Sequence, residues 1–219
     1  MLTKLIKAAS ATALLALGVL AEVDSEQVQN LIPEKCLFKS EAIGMPIEGV
    51  STKFDQTAAI VEMLPADAKP SQWRVCTDAQ GALTSIQLIY AVGSGLKAKM
   101  VELPRAGPMA GSCVAKAYGS RSYPDMVRIF EQNSRIVGLG VMFSEEDLFK
   151  FGAPSVTAKE IEIDPAQHIV GFFGASGAKN ITQLGLVIED VACAEAHAEK
   201  VRLEMEQLRL AMESSGNGS

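Results

Sequence analysis

Few side chains in this 219-residue sequence are spaced to do covalent chemistry. The histidines are His168 and His197, and neither has a nucleophile or metal partner at a workable spacing. Four cysteines, Cys36, Cys76, Cys113 and Cys193, are widely separated with no CxxC pair. That pattern argues against zinc and, in an oxidising compartment, for two disulfides. Three pairings are possible, and spacing does not choose among them. The run Glu145-Glu146-Asp147 could hold calcium, but it also reads as a solvated turn, and the turn is the reading adopted. Asp78, just ahead of Gly81, forms an Asp-x-x-Gly turn whose carboxylate is a candidate acceptor for a ligand. Trp73, the single tryptophan, opens a strand-like run and reads as packing. Asn180-Ile181-Thr182 and Asn217-Gly218-Ser219 are N-glycosylation sequons. These residues predict a non-catalytic protein without metal or cofactor.

The compartment follows from the first 21 residues. Lys4 and Lys7 form a basic start, Ala11 to Leu20 is apolar, and Val19-Leu20-Ala21 is a compact cleavage signal. This is the layout of a secretory leader over 1–21; an uncleaved anchor is the competing reading, although about 20 apolar residues are needed to span a bilayer. Removing the leader leaves 18 basic against 26 acidic side chains, a mature net charge of −8. No basic stripe remains for nucleic acid or anionic lipid, and no later stretch is long enough to span a membrane. The expected location is extracellular or in the secretory lumen.

The elements that position these groups are mostly strands. Residues 22–42 are polar and mixed, and read as an N-terminal arm. From 43 to 192, short runs of Val, Ile, Leu and Phe alternate with Gly, Pro, Ser and Asp clusters, as in a fold of many short strands. Three segments echo one another: Leu83 to Tyr90, Ile136 to Phe143 and Ile181 to Ile188. Each has large apolar residues at offsets 0, 3, 5 and 7. The last three alternate as one buried face of a strand, and the longer first step predicts a bulge. Each segment follows another apolar run and a turn, so one hairpin recurs three times, with starts 53 and then 45 residues apart. The expectation is an all-β fold of three four-stranded units. Residues 193–219 differ: Ala198, Val201, Met205, Leu208 and Met212 share one face of a helix. That helix either lies against the domain or associates with a second copy.

The third repeat carries a family resemblance. Gln167-His-Ile-Val-Gly-Phe-Phe-Gly-Ala-Ser-Gly177, continuing to Ile181-Thr-Gln-Leu-Gly-Leu186, is similar to the last hairpin of jacalin-related lectins. Ile86 to Tyr90, Ile136 to Phe143, Phe151-Gly152 and the Gly44 to Asp55 stretch resemble other parts of that family. The resemblance spans about 43–192 and implies a β-prism, three four-stranded sheets around a pseudo-threefold axis. It also implies recognition of glycans or glycoproteins by loops at one end. The positions it points to are Gly49, Gly174, Gly177, Ala178, Lys179, Asn180 and Thr182, with Asp78 added from its own turn.

The sequence departs from the family at the residue that matters most. Where the pattern places an Asp, this chain has Thr182, and the equivalent positions are Thr84 and Val137. No repeat offers the charge-assisted acceptor, and the loop aromatic is absent, with Lys179 and Asn180 nearby. Two functions remain: a secreted carbohydrate-binding protein, or a structural β-prism protein of an extracellular coat or granule, assembled through the C-terminal helix.

Overall fold

The computed structural model describes residues 31–65, 68–93, 98–118, 123–143, 148–153 and 158–216, the last five as backbone only. The leader, the arm as far as residue 30, the Glu145–Asp147 run and the Asn217 sequon lie outside the described residues.

In chain order the elements are β1 (Leu37–Lys39), β2 (Ile43–Gly44), β3 (Thr52–Asp55), helix α1 (Thr57–Met63), β4 (Lys69–Thr77), β5 (Leu83–Val92), β6 (Lys99–Glu102), β7 (Ser112–Ala117), β8 (Met126–Gln132), β9 (Arg135–Met142), β10 (Leu148–Gly152), β11 (Ala158–Glu162), β12 (Gln167–Ser176), β13 (Ile181–Asp190) and helix α2 (Val191–Gly216). They build three antiparallel sheets. Sheet I is β1-β13-β12-β3, with β2 continuing the broken edge strand β1 along β13. Sheet II is β6-β5-β4-β7, and sheet III is β10-β9-β8-β11. In each, a central hairpin is flanked by two outer strands, the repeated unit expected from the sequence. This is a β-prism.

The threefold echo is the core. Leu83, Ile86, Leu88 and Tyr90, then Ile136, Leu139, Val141 and Phe143, then Ile181, Leu184, Leu186 and Ile188 are all buried in one apolar cluster. The predicted bulge is present in every copy. Pairing slips by one residue between Cys76 and Thr77, between Phe130 and Glu131, and between Ala175 and Ser176. Each slip leaves one residue of the second strand unopposed: Thr84, Val137 and Thr182. A chain of aromatic contacts joins the sheets across the axis. Trp73, fully buried, packs edge-to-face on Phe172 at 5.4 Å between centroids and donates its Nε1–H to the Tyr118 hydroxyl at 2.7 Å. Tyr118 meets Phe143, and Phe143 meets Phe149.

Both disulfides form, Cys36–Cys193 and Cys76–Cys113. The second bridges directly opposed residues of β4 and β7. The first ties the start of sheet I to the first turn of α2.

The sheet begins earlier than residue 43. Leu37–Lys39, inside the segment read as an arm, pairs with Glu189 to Val187. A strand of three residues is too short to show alternation, and its place is held from outside by Cys36 and by Ser40, whose Oγ accepts from Leu186 N. Helix α2 starts at Val191, where Asp190 caps the Cys193 amide at 3.0 Å. Ala194 is its last fully buried residue, and from Arg202 to Ala211 every side chain is exposed. The helix therefore leaves the prism and does not lie along it. No helix among the described residues is long and apolar enough to cross a membrane.

Candidate ligand-binding end of the prism

All three hairpin turns meet at one end. Asn180 in the turn of sheet I reaches Asp78 in the turn of sheet II, and the Ala153 amide at the end of β10 approaches Gly81 O at 3.4 Å. The turn of sheet III, Asn133-Ser134, faces Gln80 and Ala82 across a cleft. A glycine supports each bulge. Gly44, Gly107 and Gly152, at φ of +87°, +94° and +70°, lie against the carbonyl oxygens of Thr182, Thr84 and Val137, where a Cβ would overlap. The second role of these glycines is set by φ, which other side chains rarely adopt.

The positions named by the resemblance are brought together, but the side chains of Thr182 and Asn180 face inward. Thr182 is 2 % exposed; its hydroxyl is 3.3 Å from Ala175 O and 3.4 Å from Ser51 Oγ. Thr84, its counterpart in sheet II, donates to Ala110 O. Asn180 is 9 % exposed and donates from Nδ2 to Asp78 Oδ2 at 2.7 Å. The other Asp78 oxygen accepts from Gln80 N and Ala82 N, both at 2.9 Å. Asp78 and Asn180 thus form a two-turn clasp with the carboxylate committed within the protein. The nitrogen a glycan would occupy at Asn180 is the one that holds this clasp. What the loop presents outward is Ala178 and Lys179, with Gly177 half-buried and Gly174 buried within β12. Gly49 lies on the exposed 45–50 loop, next to Thr182 through Ser51, with Met45, Ile47 and Val50 also exposed.

The open polar groups lie one turn away. A cleft of about 260 Å³ between the turns of sheets II and III is lined by Gln80, Ala82, Gln132, Asn133, Arg135 and Val137. None of the four polar side chains has a hydrogen bond or ion pair to another described residue. Val137, the bulge residue of sheet III, forms the floor with Ala82. Asn133 and Ser134 sit at φ of +51° and +57°, a two-residue turn whose twist suits a hairpin. Sequence reading missed this cleft because the family pattern directs attention to the third repeat. The signal available was the Asn-Ser turn flanked by Gln132 and Arg135.

The opposite end carries the buried ionisable groups. His168 stacks on Tyr123 at 3.3 Å between centroids, and its Nδ1 is 3.9 Å from Glu189 Oε2. At that separation there is no hydrogen bond, and burial outweighs attraction. Burial, with Asp190 adding repulsion, pushes the Glu189 carboxyl up to about 7. Burial draws His168 down to about 4. The imidazole is neutral at physiological pH. Among the described residues no cluster of three or more His, Cys, Asp or Glu is placed to hold a metal.

No protein-family profile and no curated protein matches this sequence. Solved structures similar to it include a mannose binding jacalin related lectin from Ananas comosus, at 15 % identity over 70 % of this chain and 98 % of that one, TM-score 0.48. Artocarpin in complex with mannotriose is 15 % identical over 69 % and 97 %, TM-score 0.49. A prostate-specific WGA16 glycoprotein lectin is 14 % identical over 68 % and 97 %, TM-score 0.48. These structural neighbours are jacalin-related lectins.

Proposed function

We propose that this protein is a secreted, non-catalytic carbohydrate-binding protein that contacts glycans with the hairpin end of its prism. One observation carries the reading. Three turns converge there on an open cleft whose Gln80, Gln132, Asn133 and Arg135 side chains are not engaged by the described protein. Side-chain amides match sugar hydroxyls, since each supplies both donors and an acceptor. The exposed backbone of Ala178 and Lys179 and the Gly49 loop extend the surface toward sheet I. The lectin character of the solved structures it resembles and two disulfides suited to an oxidising compartment agree with it. A glycan array with the full-length, unglycosylated protein, displayed multivalently, tests this reading. Binding to a defined subset supports it; no binding on the array, nor to mannose or galactose at millimolar concentration, sinks it.

A second reading, assembly through α2, is favoured by a different observation. Met205 and Leu208 are 41 % and 59 % exposed on a helix that has left the prism. An isolated helix of that kind gains stability only from a partner, and a second copy would supply both the partner and the avidity that weak sugar sites need. With Ala198, Met205 and Met212 at one seam position and Val201 and Leu208 at the other, a parallel pair sets Glu204 opposite Arg209 of the second copy. Light scattering on the full chain should give a dimer that Glu204→Arg weakens and that Glu204→Arg with Arg209→Glu restores. A monomer at all concentrations defeats this reading and leaves the glycan reading standing.

A further inference from the structure

The geometry points to an acidic glycan: a sugar bearing a sulfate or carboxylate group, held by Arg135 in the cleft between the turns of sheets II and III. This rests on the glycan reading above and specifies its ligand. The chain is acidic, at net charge −6, and three of its described arginines meet carboxylates. Arg74 pairs with Glu102, Arg128 with Glu160, and Arg202 with Glu199 and Glu206. Arg105 approaches Cys76 Sγ at 4.0 Å. Arg135 has no such partner among the described residues, and no carboxylate lines its cleft. Asp78, the acid of the facing turn, accepts from Asn180, Gln80 N and Ala82 N.

Arg135 also occupies a fixed place. It pairs with Gln132 across the two-residue Asn133-Ser134 turn at the head of β9, so its backbone belongs to the sheet and not to a loose loop. A guanidinium presents parallel N–H donors that match two oxygens of a sulfate or carboxylate. Gln80, Gln132 and Asn133 around it supply donors for a third oxygen and donor–acceptor pairs for neighbouring hydroxyls. Ala82 and Val137 give an apolar floor for the face of a sugar ring. The ligand expected is one anionic group on a sugar, not a polyanion. A single arginine on a net-acidic chain gives no track of positive charge for a nucleic-acid backbone.

The test uses the full chain and matched sets of oligosaccharides differing only in a neutral, sulfated, uronate- or sialate-carrying terminal sugar. Expected is a preference for an acidic form over its neutral match on the order of tenfold, the scale of one charge-assisted hydrogen-bond pair. The sulfated and carboxylated arms show which anion is taken. In Arg135→Gln that ratio falls to near one, whatever the change in neutral binding; Arg135→Lys keeps part of it. Unchanged melting temperatures confirm that both variants fold, as expected at an exposed position. Equal binding of neutral and acidic forms overturns the inference but not the glycan reading. An acidic preference that survives in Arg135→Gln overturns the assignment to Arg135. Tighter binding to single-stranded DNA than to any sugar overturns the ligand class. Binding to no sugar overturns the glycan reading and this inference with it.

Discussion

The two ends of the prism use polar residues in opposite ways. At the hairpin end, Gln80, Gln132, Asn133 and Arg135 are left facing a cleft, while Asp78 and Asn180 lock two turns together. At the far end, where β12 begins and β13 closes, Glu189 is buried and His168 half-buried, without a direct hydrogen bond between them. That end is clamped by Cys36–Cys193 and capped by α2. One end is open, with polar groups facing a cleft; the other is closed, carries desolvated ionisable groups and holds the helix through a disulfide. The difference teaches that a symmetric scaffold can spend its pseudo-equivalent positions differently.

The largest test of that contrast removes the clamp. Replacing both Cys36 and Cys193 by Ser opens a loop spanning 157 residues. Unfolding free energy in urea should fall by about 2–5 kcal/mol. Glycan binding at the hairpin end should change less than twofold when measured well below the new midpoint. A large loss of binding in a protein that is still folded would show that the ends are coupled.

Next comes the clasp. Asn180→Ala leaves a half-buried carboxylate oxygen of Asp78 without its protein donor and should cost about 1 kcal/mol. Arg135→Ala, one turn away, should stay within about 0.5 kcal/mol of the parent. Similar losses for the two would mean that the cleft residues are structural as well. Intact mass of the protein secreted from a eukaryotic host should show Asn180 unmodified.

How much of this was legible in the sequence depends on what each residue does locally. The buried face was readable because Leu83, Ile136 and Ile181 begin the same spacing, and burial imposes that spacing on any strand with one face in the core. The bulge was readable from the first, longer step. Four cysteines implied two bridges, but pairing is a property of three-dimensional approach and had to be seen. β1 was missed because three residues show no period. The site was only half legible. The resemblance pointed to the turn that holds Asn180, and the Asp-x-x-Gly turn pointed to Asp78, but whether a carboxylate faces a ligand or a neighbouring turn depends on contacts between residues about a hundred positions apart. The cleft at Arg135 shows no motif, since what marks it is the lack of a partner.

The far end predicts a pH response whose sign can be worked out. Glu189, raised to about 7, binds its proton more tightly folded than unfolded, so its contribution is fully present below about 4.5 and is lost as pH rises through 7. His168, lowered to about 4, resists protonation when folded, so its contribution is present above about 6.5 and is lost as pH falls through 4. Between about 4.5 and 6.5 the two slopes oppose, and the melting temperature should be nearly flat in that window. Glu189→Gln should expose the histidine slope, with stability rising from pH 4 to 6.5, and should raise stability above pH 7. An unchanged profile in Glu189→Gln would mean that the far end carries no desolvated charge.

The smallest expected effect lies at the turn beside the cleft. Ser134 holds φ of +57°, a conformation that costs a residue with a Cβ about 1–2 kcal/mol and costs glycine nothing. Glycine gives back roughly 0.5–1 kcal/mol through its greater unfolded freedom. Ser134→Gly should therefore stabilise by about 0.5–1 kcal/mol, while Ser134→Ala, which keeps the Cβ, should gain nothing. If Ser134→Gly stabilises and also weakens binding of an acidic sugar, the serine is retained at a strained position because its hydroxyl or its rigidity serves the cleft. If binding is unchanged, the strain is incidental and recognition rests on Arg135 and the surrounding amides alone.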